Sequence, residues 1–307
     1  LLDLSHLNED MAGEGGFIQL SEDGEGFVNG QGEEVRFWAV GGGDAASRQA
    51  FRPMNDAQLA QYAKYLAKKG VNMIRYHGQI CSVTNDINAA NPEAVEDIWR
   101  LVAAMKAEGI YTTISPFWAG SVENMPAAWG LGDYQGDVQP WGLMYFDAKF
   151  KEAYKKWVEY LYTETNPYTG LALKDDPAVA LIQIKNEDGV FFWTIQDVRP
   201  SLKAEMERQF YEWLIDKYQT IEAAYTAWAG ETLSEDQPAQ QRMGLYIIWE
   251  ATQERTGAKM SASTTKLPSM PKYSVTFIRK CTTTTIAWVA HNSSMPTTGN
   301  GQFSQTL

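Results

Sequence analysis

Two stretches of the chain repeat one local grammar, and that repeat narrows the possible folds more than anything else in the sequence. Asn55 or Asp56 opens a helix to about Lys69 that carries Leu59, Tyr62, Ala63 and Leu66 on one face, and Gly70 stops it. A short apolar stretch, Val71 to Gly78, follows directly and reads as a strand. Asn91-Pro92 then opens a second helix through Ala107, Gly109 ends it, and Ile110 to Ile114 is another strand leading to Ser115-Pro116-Phe117-Trp118. Asp147 starts a third helix to about Tyr162, Asn166 to Gly170 is a turn, and Ala-Val-Ala-Leu-Ile-Gln-Ile after Pro177 is a fourth, buried strand. Strand and helix alternating at this rhythm build parallel βαβ units, so the class is α/β.

Ahead of these units, residues 16 to 41 alternate apolar pairs with Gly-rich turns, which predicts an antiparallel hairpin followed by a buried strand, Val35 to Val40, ending at Gly41-Gly42-Gly43. The glycines have the spacing of neither a dinucleotide fingerprint nor a phosphate loop, and serve a tight turn. Residues 119 to 145 form a loop too long for a bare connection, rich in glycine and carrying Trp129 and Trp141. After Trp193 the periodicity turns helical, over Leu202 to Tyr218, Ile221 to Trp228 and Gln240 to Thr256, with no fifth strand before Glu254. Trp213, Trp228 and Trp249 fall on the apolar stripes of those helices and are expected in the core.

The last fifty residues differ in kind. No Asp or Glu follows Glu254, and Ser and Thr dominate, with a run from Thr282 to Thr285. A Ser/Thr-rich tail is the plain reading. Translation out of frame, or artificial truncation, is the sharper expectation: in one of the two shifted registers a run of threonine codons reads as NAC and encodes only Asn, Asp, His or Tyr, an ordinary polar mixture. The expected organisation is therefore an N-terminal segment and hairpin over 1–33, a catalytic domain over 34–257, and an atypical tail over 258–307.

The balance of 38 acidic against 26 basic residues, a net charge of -12, disfavours nucleic acid and anionic membrane as partners. Two cysteines, Cys81 and Cys281, give neither a disulfide framework nor metal spacing. No motif points to a nucleotide, a flavin or a catalytic metal. The chain opens Leu-Leu-Asp, and a secreted or periplasmic location is expected if a signal peptide was removed.

Parallel α/β sheets gather ligands at the carboxyl ends of their strands. Four such ends offer Trp38 with the glycines, then Arg75 and His77, then Phe117 and Trp118, then Asn186 and Glu187. An acid, an amide, a cation, an imidazole and aromatic walls suit glycoside chemistry. Glu187 can deliver a proton to a leaving oxygen if burial or a neighbouring carboxylate raises its pKa. Asn186 can hold a sugar hydroxyl, and Trp38, Trp118 and Trp193 can stack on sugar rings. Arg75 has an equal structural alternative, pairing with a carboxylate beneath the sheet, and a lone strand-end histidine such as His77 is commonly a structural hydrogen-bonder.

The Arg75-Tyr76-His77 strand end, the Asn-Glu after the fourth strand with its Asn-Pro-Tyr-Thr-Gly and Asp-Asp-Pro lead-in, and the Gly-Phe-Ile, Phe-Val and Arg-Phe-Trp hairpin resemble glycoside hydrolases of clan A, as in families two, five and forty-two. The helical stretch from Phe210 to Trp228 is similar to an insertion of family forty-two β-galactosidases. The resemblance, over residues 16 to 257, implies a (β/α)8 TIM-barrel fold of which this chain holds the first half, about four βα units, plus a helical insertion and an irregular C-terminal tail. It implies Glu187 as general acid/base, Asn186 on the sugar 2-hydroxyl, Arg75 supporting the nucleophile, and His77 and Trp118 lining the subsite beside the scissile bond. The clan's nucleophile, a Glu on the seventh strand, has no counterpart here. The expected activity is retaining hydrolysis of a β-linked oligo- or polysaccharide, with a cellulase-like endo-β-1,4-glucanase ahead of a β-galactosidase. A carbohydrate-binding or inactive fragment is the alternative. Half a barrel would also leave sheet edges open to self-association.

Overall fold

The computed structural model describes residues 2–41, 54–117, 125–136, 139–186, 188, 193–228, 230 and 232–245. Internal contacts divide these into two units, one of residues 2–117 and 155–186 and the other of residues 125–154 and 188–245.

The first unit holds two sheets. Strands β1 (Gln19–Leu20), β2 (Phe27–Val28) and β3 (Glu34–Val35) form a small antiparallel meander. Strands β4 (Ala39–Gly41), β5 (Met73–His77), β6 (Tyr111–Ser115) and β7 (Val179–Ile182) form a parallel sheet in that order. Sequential order with parallel pairing is what βαβ crossovers produce.

The crossover helices are those the sequence marks. Helix α1 (Asp56–Ala67) starts with a capping box: the Asn55 side chain accepts from Gln58 N–H, and the Gln58 side chain accepts from Asn55 N–H, both at 3.0 Å. Helix α2 (Pro92–Lys106) is capped by Asn91 with proline at its first position. Gly70 and Gly109 end the two helices at φ 77° and 69°, a region that costs other residues about 1–2 kcal/mol. Both helices cover one face of the parallel sheet, where Ile74 and Ile114 are fully buried with Val95, Ile98, Leu101, Val102 and Met105 of α2. Burying those five α2 side chains is worth on the order of 10 kcal/mol in gross transfer free energy. Residues 155–163 of α4 (Ala148–Thr163) extend this layer: Trp157 Nε1 donates to Ile87 O at 2.7 Å, and Trp99 Nε1 donates to Leu161 O at 3.3 Å.

The opposite face is apolar at its amino-terminal end. There Met73, Tyr111, Ala178 and Ala180 pack with Ala12, flanked by Ile18 and Phe37. Phe37 stands edge-on to both Phe27 and Tyr111, at 5.6 and 5.7 Å, which seats the meander beneath this end of the sheet.

Residues 2–13, expected only as a leading segment, work as a strap across the turns that precede β5, β6 and β7. Leu4 N donates to Lys68 O, Asn8 Nδ2 to Val71 O at 2.9 Å, and Ala12 N to Lys106 O at 2.9 Å. Gly109 lies so close to the strap that a Cβ there would sit 2.0 Å from Glu9 O, and one on Gly13 would sit 2.7 Å from Pro177 Cβ.

Two expectations are corrected. The stretch Val35 to Val40 is not one buried strand. It leaves the meander after Val35 and enters the parallel sheet only at Ala39, because Asn72 ties it down between the two: Trp38 N donates to Asn72 Oδ1 at 2.7 Å, and Asn72 Nδ2 donates to Arg36 O at 2.8 Å. The helix expected from Gln240 does not begin there: Pro238–Gln240 is a single 3-10 turn, Gln241 is left-handed at φ 56°, and residues 241–245 are not helical. The rest of that segment, with Trp249 and the tail over 258–307, lies outside the described residues.

The second unit contains α3 (Leu143–Phe146), α5 (Pro200–Tyr218) and α6 (Ile221–Ala227). Trp129 and Trp141 of the long loop are buried, as is Trp228, whereas Trp213 is half-buried, stacked on Phe210 at 5.9 Å with Lys217 Nζ 5.0 Å above its ring.

Candidate functional site

Along β5 the side chains alternate, so Met73, Arg75 and His77 share the face opposite the helices. The face turns polar towards the carboxyl end of the strands. Beyond Met73, whose Sδ accepts from Thr113 Oγ1 at 3.2 Å, come Arg75 and then His77, whose Nδ1 is 3.3 Å from Ser115 Oγ. A β-bulge in β7, where Val179 pairs with Thr112 but Leu181 with Thr113, shifts its register before the strand ends. The chain then keeps bonding to β6 and the residues after it, through Gln183 N to Ile114 O at 2.9 Å and Asn186 N to Phe117 O at 3.1 Å.

These bonds bring the β7 exit to Arg75. Its Nε donates to Gln183 Oε1 at 2.9 Å and its Nη2 to Asn186 Oδ1 at 2.6 Å. Gln183 Nε2 points at the same Asn186 oxygen from 3.4 Å. Asn186 is only 7% exposed. Because a guanidinium has donors alone, its contact fixes Oδ1 towards Arg75 and leaves both Nδ2 hydrogens directed elsewhere. A fixed amide donor at a strand end is what recognition of a hydroxyl requires. Among the described residues the side-chain bonds of Arg75 run to two amide oxygens. Gln183 is the residue that sequence reasoning passes over, although a lone amide inside Ala-Val-Ala-Leu-Ile-Gln-Ile is a visible departure from a buried strand.

Trp38 does not belong to this group. It precedes β4, level with Asn72 at the amino-terminal end of the sheet, and is 69% exposed. Five residues of strand separate that level from His77, roughly 16 Å at the usual rise. Glu187 and Trp118 lie outside the described residues, and Trp193 opens a 3-10 turn, Trp193–Asp197, whose side-chain surroundings are likewise outside them. Lys185, beside Asn186, places its Nζ 5.4 Å above the Phe117 ring, which stacks on Trp157 in the helical layer.

Among the described residues no group of three or more His, Cys, Asp or Glu stands together as a metal site, and no helix is long and apolar enough to cross a membrane. A depression of about 360 Å³ on α2 is lined by Glu93, Glu96, Asp97 and Arg100. Strands β4 and β7 are the terminal strands of the parallel sheet.

No family model matches the sequence, and no curated protein does. Among solved structures the chain is similar to an endo-1,4-beta-mannanase from Rhizomucor miehei, at 14% identity and a TM-score of 0.46, over 70% of this chain and 59% of that one. It is also similar to a glycoside hydrolase family 5 mannosidase from the same organism, at 12% identity and a TM-score of 0.42, over 90% of this chain and 71% of that one. A third, an endo-beta-1,4-mannanase from Thermotoga petrophila, is 18% identical with a TM-score of 0.36, over 66% of this chain and 42% of that one. The chain therefore spans less than two thirds of the length of the two endo-mannanases.

Proposed function

We propose that this chain is part of a glycoside hydrolase that cleaves β-linked glycans, with the sugar bound at the carboxyl ends of β5, β6 and β7. One observation carries the reading: Arg75 fixes the Asn186 amide at a polar strand end, directly before the carboxyl group of Glu187 in sequence. Glu187 is the general acid/base, protonating the leaving oxygen as the glycosidic C–O bond breaks and later activating water. Asn186 donates to a ring hydroxyl, Arg75 holds Asn186 in place, and His77 and Trp118 line the adjoining subsite. The sheet is read as the first half of a (β/α)8 barrel. An endo-acting enzyme on a β-1,4-glucan remains the favoured specificity. β-Mannans join the candidates because endo-mannanases are among the similar structures, and an exo-acting β-galactosidase is the further alternative.

A second reading, carbohydrate binding without turnover, is favoured by a separate observation: among the described residues no strand follows β7, and none of the described strand ends beyond it supplies a second carboxylate at the separation, about 5–5.5 Å, that retention needs. Reducing-sugar release from mannan, β-glucan, xylan and galactosides, with Glu187→Gln beside the native chain, separates the two. Release lost in the variant supports hydrolysis; binding with no release from either supports the second reading.

A further inference from the structure

Resting on the reading of Asn186 as the donor to a sugar hydroxyl, we infer that Gln183 is a positioning residue for that amide. It holds the Arg75 guanidinium with its oxygen and approaches Asn186 Oδ1 with its nitrogen. All three side chains belong to the first unit, and the sheet places their backbones. Arg75 pairs with Thr113 across β5 and β6, while Gln183 N donates to Ile114 O at 2.9 Å and Asn186 N to Phe117 O at 3.1 Å. The exit of β7 therefore keeps step with the exit of β6.

A guanidinium presents Nε–H and one Nη2–H side by side, an edge suited to gripping both oxygens of one carboxylate. Here that edge is divided between two neutral amides: Nε donates to Gln183 Oε1 at 2.9 Å and Nη2 to Asn186 Oδ1 at 2.6 Å. Because arginine only donates, the first bond fixes which end of the Gln183 amide faces it and turns Nε2 the other way. Nε2 then lies 3.4 Å from both Lys185 O and Asn186 Oδ1, one acceptor for each of its two hydrogens.

Two donors thus converge on Asn186 Oδ1, a short one from Arg75 and a long one from Gln183. Turning the amide over would set its own N–H groups against both of them. The terminal torsion of an asparagine is broad and two-fold, so one contact alone orients it loosely. Without Gln183 the Nε side of the guanidinium also loses its acceptor. Gln183 therefore sharpens the aim of the Nδ2 donor, acting on the sugar through Asn186.

The test titrates the full chain with cellohexaose, mannohexaose, xylohexaose and β-1,4-galactohexaose by calorimetry, in a Glu187→Gln background so that hydrolysis does not consume the ligand. All four are uncharged, so a carboxylate added to the site does not repel them. Gln183→Glu keeps an acceptor for Arg75 Nε and replaces the donor beside Asn186 Oδ1 with an oxygen. Its urea midpoint should be unchanged or higher, since a charged pair replaces a neutral bond. Its affinity for whichever oligosaccharide the parent chain binds should fall ~5–10-fold. Asn186→Ala, the reference, should lose at least as much, and the double variant should bind as Asn186→Ala alone does. Unchanged affinity in Gln183→Glu, a midpoint that falls with the affinity, or losses that add in the double variant would overturn the inference; a loss in Asn186→Ala keeps the reading of that residue standing. Asn186→Ala binding like the parent, or a parent chain that binds none of the four, overturns both. Should Gln183→Glu not fold, Gln183→Met removes donor and acceptor at similar volume and should show the same weakening and the same lack of additivity with Asn186→Ala, additive losses again overturning the inference.

Discussion

The Arg75 guanidinium and the Asn186 side-chain oxygen, 111 residues apart in sequence, meet at 2.6 Å. The contact sets the polarity of the amide, because it commits the oxygen of Asn186 to Arg75 and leaves its N–H groups for other acceptors. Asn186→Asp keeps the acceptor, gains charge against Arg75 and loses the donors. Its urea midpoint should be unchanged or higher while kcat/KM falls ~10-fold or more. Arg75→Met leaves two acceptors without their donor and should lower stability by about 1–3 kcal/mol, so the two variants separate the structural and the recognition roles of one contact.

Trp38→Ala should leave kcat/KM unchanged. The indole sits at the amino-terminal end of the sheet, largely in solvent. A loss of more than ~3-fold in steady-state assays would place that end of the sheet in contact with substrate.

Gly109→Ala and Gly170→Ala form a matched pair at φ 69° and 73°. Both incur the left-handed cost of about 1–2 kcal/mol. Nothing lies within 4 Å of a Cβ on Gly170, whereas one on Gly109 would be 2.0 Å from Glu9 O. Chemical denaturation should find Gly109→Ala the worse by a further ~1–3 kcal/mol.

Burial pushes the Cys81 thiol up to about 12 and the Tyr134 phenol up to about 12, the latter also through Asp133 and Asp188. In the unfolded chain these groups ionise from their ordinary values of 9.0 and 10.0. Above pH 9 the unfolded state therefore holds fewer protons than the folded one, and stability present at neutral pH declines towards pH 12. A falling urea midpoint over that window checks the sign. In a Cys281→Ser background, Ellman's reagent at pH 8 should react with Cys81 only after denaturant is added.

The helical layer is legible in the sequence because its signals are local. Asn55 with Gln58, Asn91 with Pro92, and the stops at Gly70 and Gly109 each act within a few residues. The parallel sheet is legible through the same rhythm. Trp38 shows where such reasoning ends: Val35 to Val40 is a uniform strand-forming run, and the break inside it is imposed by Asn72, 34 residues away. Gln183 is hidden for a related reason. Its partner, Arg75, lies 108 residues away, and nothing in either neighbourhood announces the pairing. Arg75 meets Asn186, and His77 lies two residues beyond Arg75 on the same face of β5; direction along a parallel sheet can be read once the units are counted.

The strap of residues 2–13 has a consequence for the order in which the chain takes shape. It is synthesised before its docking surfaces, which include Lys68, Lys106 and Pro177, so it cannot close fully until residue 177 has emerged. Contacts at that separation carry a large loop-closure cost and form late. Through that interval the amino-terminal ends of β5, β6 and β7 stand open, so a segment made before these strands is placed after them.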